Sequence, residues 1–169
     1  MKEKKAWAWF LGMTVFLVCL DQASKAWAAA VLKGNSGIPV LPGVLELYYL
    51  YPENKGIAFG MFQNSAGVLL IVTGLLMLLL LWVFHKVPKT RYFFLIHLVC
   101  LLFFSGALGN LLDRVCRGYV IDFLYFSLIS FPVFNLADTF VVAAAILMVL
   151  SGIFKYKNDE DFAWLKKTR

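Results

Sequence analysis

Two carboxylates stand where the chain is otherwise suited to lipid: Asp122 in Val120-Ile121-Asp122-Phe123, and Asp138 in Phe134-Asn135-Leu136-Ala137-Asp138. A charged side chain at a bilayer centre costs about 2.5–3.5 kcal/mol on insertion scales, so acids retained there are functional candidates. Two of them in a small protein suggest a pair sharing one proton, and therefore acid–base work. Their surroundings differ. Asp122 is flanked by Val120, Ile121 and Phe123, and apolar surroundings raise a carboxyl pKa. Asp138 falls at the start of a predicted helix, where free N–H groups and the helix dipole favour negative charge. One protonated and one ionised acid is what hydrolysis of an amide by water requires: the ionised group takes a proton from water, and the other protonates the carbonyl oxygen. Taken alone, Asp138 reads equally well as a helix cap.

The remaining unusual polar residues fall near the same end of the predicted bundle. They are Asp21 and Lys25, Asn54, Asn110 with Asp113 and Arg114, and Asn135. Asn110 and Arg114 are spaced i, i+4, and Asn135 and Asp138 i, i+3, so each pair shares a helix face. Asp21 with Lys25, and Asp113 with Arg114, read first as structural ion pairs. The three asparagines also suit buried backbone groups that need partners. Ser105-Gly106-Ala107-Leu108-Gly109 is a stripe of small residues of the kind that lets helices approach closely.

The elements that must position these groups follow from composition. The chain has 169 residues, 62% of them hydrophobic, against roughly 45–50% in soluble domains, and its mean hydropathy is +0.78. One integral membrane domain over 1–169 is expected. A bilayer core of about 30 Å takes around 20 apolar residues in a helix, and four segments qualify, at about 6–30, 66–84, 92–112 and 135–154. The net charge of +6 is a topology signal and does not point to nucleic acid: 11 of the 16 Lys and Arg cluster at Lys2, Lys4, Lys5, at Lys86, Lys89, Arg91, and at Lys155, Lys157, Lys166, Lys167, Arg169. Each cluster flanks an apolar run, as cytoplasmic loops do. Both termini are therefore expected to be cytoplasmic, with 31–65 and 113–134 on the other side. The first run resembles a cleavable signal peptide in outline, but Asp21 and Lys25 would lie in the approach to a cleavage site, so it is expected to stay as the first span. Between the first two spans, Leu45, Leu47, Tyr49 and Tyr51 alternate at period 2 between Pro and Gly breaks. This predicts a half-embedded β-cradle over about 38–62, able to pair with an extended peptide. The tail 155–169 reads as a cytoplasmic helix or a frayed end.

Other chemistries find little support. Cys19, Cys100 and Cys116 have no disulfide or metal-ligand spacing and read as small apolar fillers. His85 and His97 fall away from the polar cluster, and no metalloprotease, nucleotide-binding or paired Cys motif is present. No metal and no cofactor are expected. The residues alone leave a proton or ion carrier and a non-catalytic membrane scaffold as rival classes, since intramembrane acids also mark conduction paths and polar groups also join helices. A carrier would spread its acids through the membrane depth.

Five motifs in order, with spans between them, resemble the bacterial lipoprotein signal peptidases (signal peptidase II). They are Asp21-Gln22-Ala23-Ser24-Lys25, Asn54-Lys55-Gly56-Ile57-Ala58-Phe59, Gly106 to Arg114, Val120 to Phe123, and Phe134 to Asp138. The resemblance implies a membrane all-α fold with a small β element, four transmembrane helices, and an aspartic endopeptidase with Asp122 and Asp138 as its catalytic dyad. It implies Asn54, Gly56, Asn110, Arg114 and Asn135 around the substrate, and Asp21, Lys25 and Asp113 in supporting positions. The implied substrate is a prolipoprotein with a diacylglyceryl-modified Cys, cut on the N-terminal side of that Cys at the outer (periplasmic) face of the inner membrane. Membrane lipid is the other expected partner, and a monomer the expected state. Ile57, Ser105 and Thr139 depart mildly from the family pattern.

Overall fold

A computed structural model describes residues 2–54 and 66–165. The four apolar runs form α1 (Glu3–Val31), α2 (Ala66–Lys86), α3 (Phe94–Arg117) and α4 (Leu136–Phe154). All four are long and apolar enough to cross a membrane. At 1.5 Å per residue, the 19 residues of α4 span about 29 Å, close to the bilayer's hydrocarbon thickness. Outward faces are apolar as well: α2 exposes Ile71, Val72, Leu75 and Leu78, and α4 exposes Val142, Ile146 and Val149. Such surfaces are stable against lipid and costly in water.

α3 is the central helix and packs against the other three. Its small residues permit this. A Cβ on Gly106 would lie 2.5 Å from the Ala137 carbonyl oxygen, and one on Gly109 would lie 2.7 Å from Asp21 Oδ2. Bare glycine backbone therefore lets α1, α3 and α4 converge where the polar groups lie. At the end bearing the chain termini, Phe10, Phe84, Cys100 and Leu101 form a buried apolar cluster.

The opposite end carries a three-stranded antiparallel sheet, ordered β1 (Ile38–Leu41), β2 (Leu45–Leu47), β3 (Leu124–Tyr125). Ile38 pairs with Leu47, and Leu47 with Leu124. Backbone pairing continues past the strands: Tyr48 N–H donates to Phe123 O, Leu50 N–H to Asp122 O, and Val120 N–H to Asn54 O. Leu124 and Phe134 then pair on the far side, and Phe123 N–H also donates to Phe134 O. Residues 120–124 thus run extended between two partners. Alternation along that segment buries Ile121 and Phe123 against Ala28, Leu32 and Tyr49, and turns Asp122 to the other face.

Several expectations need correction. α3 runs to Arg117 and not to 112, because Gly118, in the left-handed region at φ 78°, ends it with an N–H bond to Arg114 O. The period-2 run beyond Leu47 is a single extended chain completed by 119–124, and β3 lies in a segment for which no element was expected. Of the three cysteines only Cys100 is buried; Cys19 and Cys116 are exposed and fill no core. In the tail, a 3-10 helix spans Asp159–Leu165. It is docked: Tyr92 Oη donates to Asp161 Oδ1 at 2.7 Å and Tyr156 Oη to Tyr92 O at 2.8 Å. The part of the expected cradle at 55–62 lies outside the described residues.

Candidate active site

The site is assembled where α1, α3, α4 and the extended segment 120–124 meet. Asn135 begins the construction. It is the N-cap of α4, its Oδ1 accepting from Asp138 N–H at 3.0 Å while Asp138 Oδ2 accepts from Asn135 N–H at 3.1 Å. This is a reciprocal capping box. It spends one carboxylate oxygen of Asp138 on the backbone and leaves Oδ1 to accept from Asn110 Nδ2 at 2.7 Å. The cap side chain also reaches across: Asn135 Nδ2 donates to Asp122 Oδ1 at 2.7 Å and to Asn110 Oδ1 at 3.0 Å. Asn54 Nδ2 donates to Asp122 Oδ2 at 2.9 Å. Each oxygen of both carboxyls therefore faces an amide donor, and a single asparagine touches both acids.

Beneath this layer lies a buried ionic one. Lys25 Nζ contacts Asp21 Oδ2 at 2.8 Å, Asp113 Oδ2 at 3.0 Å and Asn110 Oδ1 at 2.9 Å. Three N–H donors thus meet three acceptors. The contact with Asn110 fixes the orientation of that amide, since its oxygen must face the ammonium and its Nδ2 then faces Asp138. Asp21 Oδ1 accepts from Ala137 N–H at 2.9 Å, a second bond to the free N–H groups of α4. Gln22 Nε2 donates to Asp113 Oδ1 at 3.0 Å, and Arg117 pairs with the same oxygen. Two carboxylates and two cations balance.

Asp21 with Lys25 is thus an ion pair, as the i, i+4 spacing suggests. The expected pairing of Asp113 with Arg114 is not what forms: Asp113 pairs with Lys25 and Arg117. Adjacent residues point about 100° apart around a helix, whereas i+4 shares a face. Arg114 instead lines the cavity described next, its Nη1 donating to Asn110 O at 3.2 Å. Gln22 and Arg117 were given no role from sequence; the i, i+4 offset of Arg117 from Asp113 was the available signal. Gly56 and Ile57 lie outside the described residues. His97 packs edge-on against Phe84, and His85 Nδ1 lies 3.6 Å from Glu3, both at the other end of the bundle.

Asn54, Asn110, Arg114, Asp122 and Asp138 form one wall of a cavity of about 560 Å³. The other wall is apolar, with Phe126, Ile129, Phe131 and Phe134 from the loop before α4 and Val141 and Val142 from α4. No sequence pattern marked this wall, because loop apolar residues carry no period. Asp122 is only 3% exposed. Burial pushes its carboxyl up to about 6, the amide of Asn54 pulls it down, and the charge of Asp138 adds to the rise. Two carboxyls at one wall of an apolar chamber, one of them raised to about 6 by burial, can exchange protons with a bound polar group.

The family model for signal peptidase (SPase) II matches residues 13–154, a range that contains every polar residue of the site, Asp21, Asp122 and Asp138 among them.

The chain belongs to the signal peptidase II family.

It is 38% identical over 144 residues to the lipoprotein signal peptidase of Caldanaerobacter subterraneus subsp. tengcongensis, covering 85% of this chain and 94% of that protein. It is 34% identical over 170 residues to the lipoprotein signal peptidase of Bartonella quintana, covering 98% and 94%. A bacterial membrane enzyme solved by the in meso method at 2.3 Å resolution superposes with a TM-score of 0.78 at 27% identity, over 96% of this chain and 93% of that one. The chain is a multi-pass membrane protein and spans nearly the full length of these relatives.

Proposed function

We propose that the chain is an aspartic endopeptidase that removes signal peptides from prolipoproteins, with Asp122 and Asp138 as its dyad. The observation that carries this reading is the shared Asn135, which holds both carboxyls at the wall of one apolar cavity. Charge balance supports it. The ionic layer is neutral in itself, so the Arg114 guanidinium is matched when the dyad carries one negative charge and one proton. In a site of low dielectric that singly protonated state is favoured.

Hydrolysis then follows with protons conserved. The ionised carboxylate takes a proton from water as the water oxygen attacks the scissile carbonyl carbon, and the protonated carboxyl gives its proton to the carbonyl oxygen. The resulting diol collapses with cleavage of the C–N bond. The first acid passes its proton to the leaving nitrogen, and the second recovers one from a diol hydroxyl. Asn54, Asn110 and Asn135 orient the carboxyls, and Arg114 faces the substrate carbonyls.

The substrate in this reading carries a diacylglyceryl-Cys and is cut N-terminal to it. Its lipid and apolar side chains face Phe126, Ile129, Phe131 and Val142, while its extended residues lie along the polar wall beside Asn54. The basic clusters support cytoplasmic termini, and in this reading the dyad lies at the outer face of the cytoplasmic membrane. One monomeric domain over 1–169, with Gly56 counted among the substrate-binding residues, completes the proposal.

The test is cleavage of a diacylglyceryl-modified prolipoprotein peptide in detergent by wild type, Asp122→Asn and Asp138→Asn, each with a thermal melt. Wild type should cut before the lipidated Cys, and each folded variant should be at least about a hundredfold slower, the usual scale for losing a general acid or base. Turnover preserved in either folded variant would sink the dyad.

A further inference from the structure

A second polar region lies at the end of the bundle that carries the chain termini, away from the dyad. There a cavity of about 670 Å³ opens between α1, the α2–α3 turn and the end of α4. Its walls are Trp9, Phe84, Phe94, Leu95 and the buried His97, and its rim holds Lys89, Thr90, Arg91 and Lys155. Three cations and no carboxylate line it among the described residues. Lys89 Nζ donates to the carbonyls of Phe84, His85 and Val87 at the end of α2, which holds its charge at the rim. Lys155 Nζ sits 5.0 Å from the Tyr92 ring centre and 5.3 Å from that of Tyr156. Neither Arg91 nor Lys155 enters any ion pair of the described residues. Of the acids at this end, Glu3 lies by His85 and Asp161 accepts from Tyr92, while Asp159 and Glu160 are exposed in the tail helix; none of them lines the cavity.

A cationic rim over aromatic walls, at the end of membrane-spanning helices, suits an amphiphile with a negative head. We propose that this cavity binds the headgroup of an anionic phospholipid. The phosphodiester lies among Arg91, Lys155 and Lys89, and the glycerol backbone and first acyl carbons lie against Trp9, Phe94 and Leu95. Basic pockets between helices at a cytoplasmic surface select such lipids, each basic residue strengthening the attraction roughly fivefold. A zwitterionic headgroup carries its own ammonium into a rim of three cations and is disfavoured. Free phosphate has nothing to place against the aromatic walls. Because the walls come from three helices and the intervening turn, bound lipid would clamp them together.

The experiment is native mass spectrometry and thermal melting of the full chain in detergent, titrated separately with phosphatidylglycerol, phosphatidylcholine and inorganic phosphate. Wild type should retain phosphatidylglycerol at least about tenfold better than phosphatidylcholine, be stabilised by it, and gain nothing from phosphate. Arg91→Gln with Lys155→Gln should lose most of that preference, by about 25-fold if each charge contributes about fivefold, while Arg91→Lys with Lys155→Arg should keep it. Equal retention of the two lipids by wild type would overturn the proposal. So would an unchanged preference in the folded Gln variant, or stabilisation by phosphate equal to that by phosphatidylglycerol. Should the Gln variant not fold, the wild-type lipid comparison and the charge-conserving variant decide.

Discussion

Replacing Lys25 with Met removes one charge from the centre of the bundle and leaves the volume nearly intact. Both its acidic partners are buried, with side chains at most 1% exposed, at 2.8 and 3.0 Å from the ammonium. Asp113 retains Arg117 and Gln22, but Asp21 loses its only ion-pair partner among the described residues. Removing one member of a buried pair typically costs about 3–5 kcal/mol, because the remaining charge is left unmatched. A further cost falls on the site: Asn110 Oδ1 loses one of its two donors and keeps Asn135 Nδ2, so its amide is held less firmly toward Asp138. Little cavity cost arises, since Met fills much the same space. The expected loss is therefore about 3–5 kcal/mol of unfolding free energy, with cleavage impaired beyond what instability explains. Equilibrium unfolding in mixed micelles measures the first, and prolipoprotein cleavage at a temperature where both proteins are folded measures the second. Asp21→Asn in the Lys25→Met background should recover part of the stability, since it neutralises the unmatched charge. A Lys25→Met protein within about 1 kcal/mol of wild type, or an Asp21→Asn loss that simply adds to it, would refute the view that this layer is held by charge compensation.

Asp122 has a carboxyl raised from 3.8 to about 6. A raised acid stabilises the fold fully below its unfolded value, and that contribution is lost as pH rises through the folded one. Wild type should therefore lose stability relative to Asp122→Asn between about pH 4 and pH 6–7, with no further change above. Melts of both proteins across that range check this, and a constant difference would contradict it. Gly109→Ala places a Cβ 2.7 Å from Asp21 Oδ2 and should cost about 1–3 kcal/mol through overpacking; Gly12→Ala, with nothing within 4 Å, should be neutral or stabilising. Asn135→Ala removes the α4 cap, worth about 0.5–2 kcal/mol, together with donors to Asp122 and Asn110, and should nearly abolish cleavage. Asn54→Ala, at the end of an extended segment, should slow cleavage while the melt stays close to wild type, and normal kinetics would remove Asn54 from the site.

The sequence by itself determined four membrane-crossing helices, because length and apolar composition decide that without reference to neighbours. It also marked the two acids and most of their amide partners, because a polar residue in or beside an apolar run is costly unless it is used. The i, i+4 link of Asp21 to Lys25 and the shared helix face of Asn135 and Asp138 were legible for the same local reason, since both depend only on helix geometry, but the cap is Asn135 and not Asp138, which sits at N3. What tertiary structure decided is which distant groups meet. Lys25 joins Asp113 and Asn110 across 88 and 85 positions only because Gly106 and Gly109 let α1, α3 and α4 close to contact. Asp113 turns to Arg117 and Lys25, leaving Arg114 for the cavity, and that depends on the rotation of α3 within the bundle. β3 and the apolar wall of Phe126, Ile129 and Phe131 come from a loop without period, so no local pattern foretold them. Asp122 faces the chamber because Ile121 and Phe123, on either side of it, are buried against Ala28 and Leu32. Local rules fix where a side chain points along its own element; packing between elements fixes what it points at.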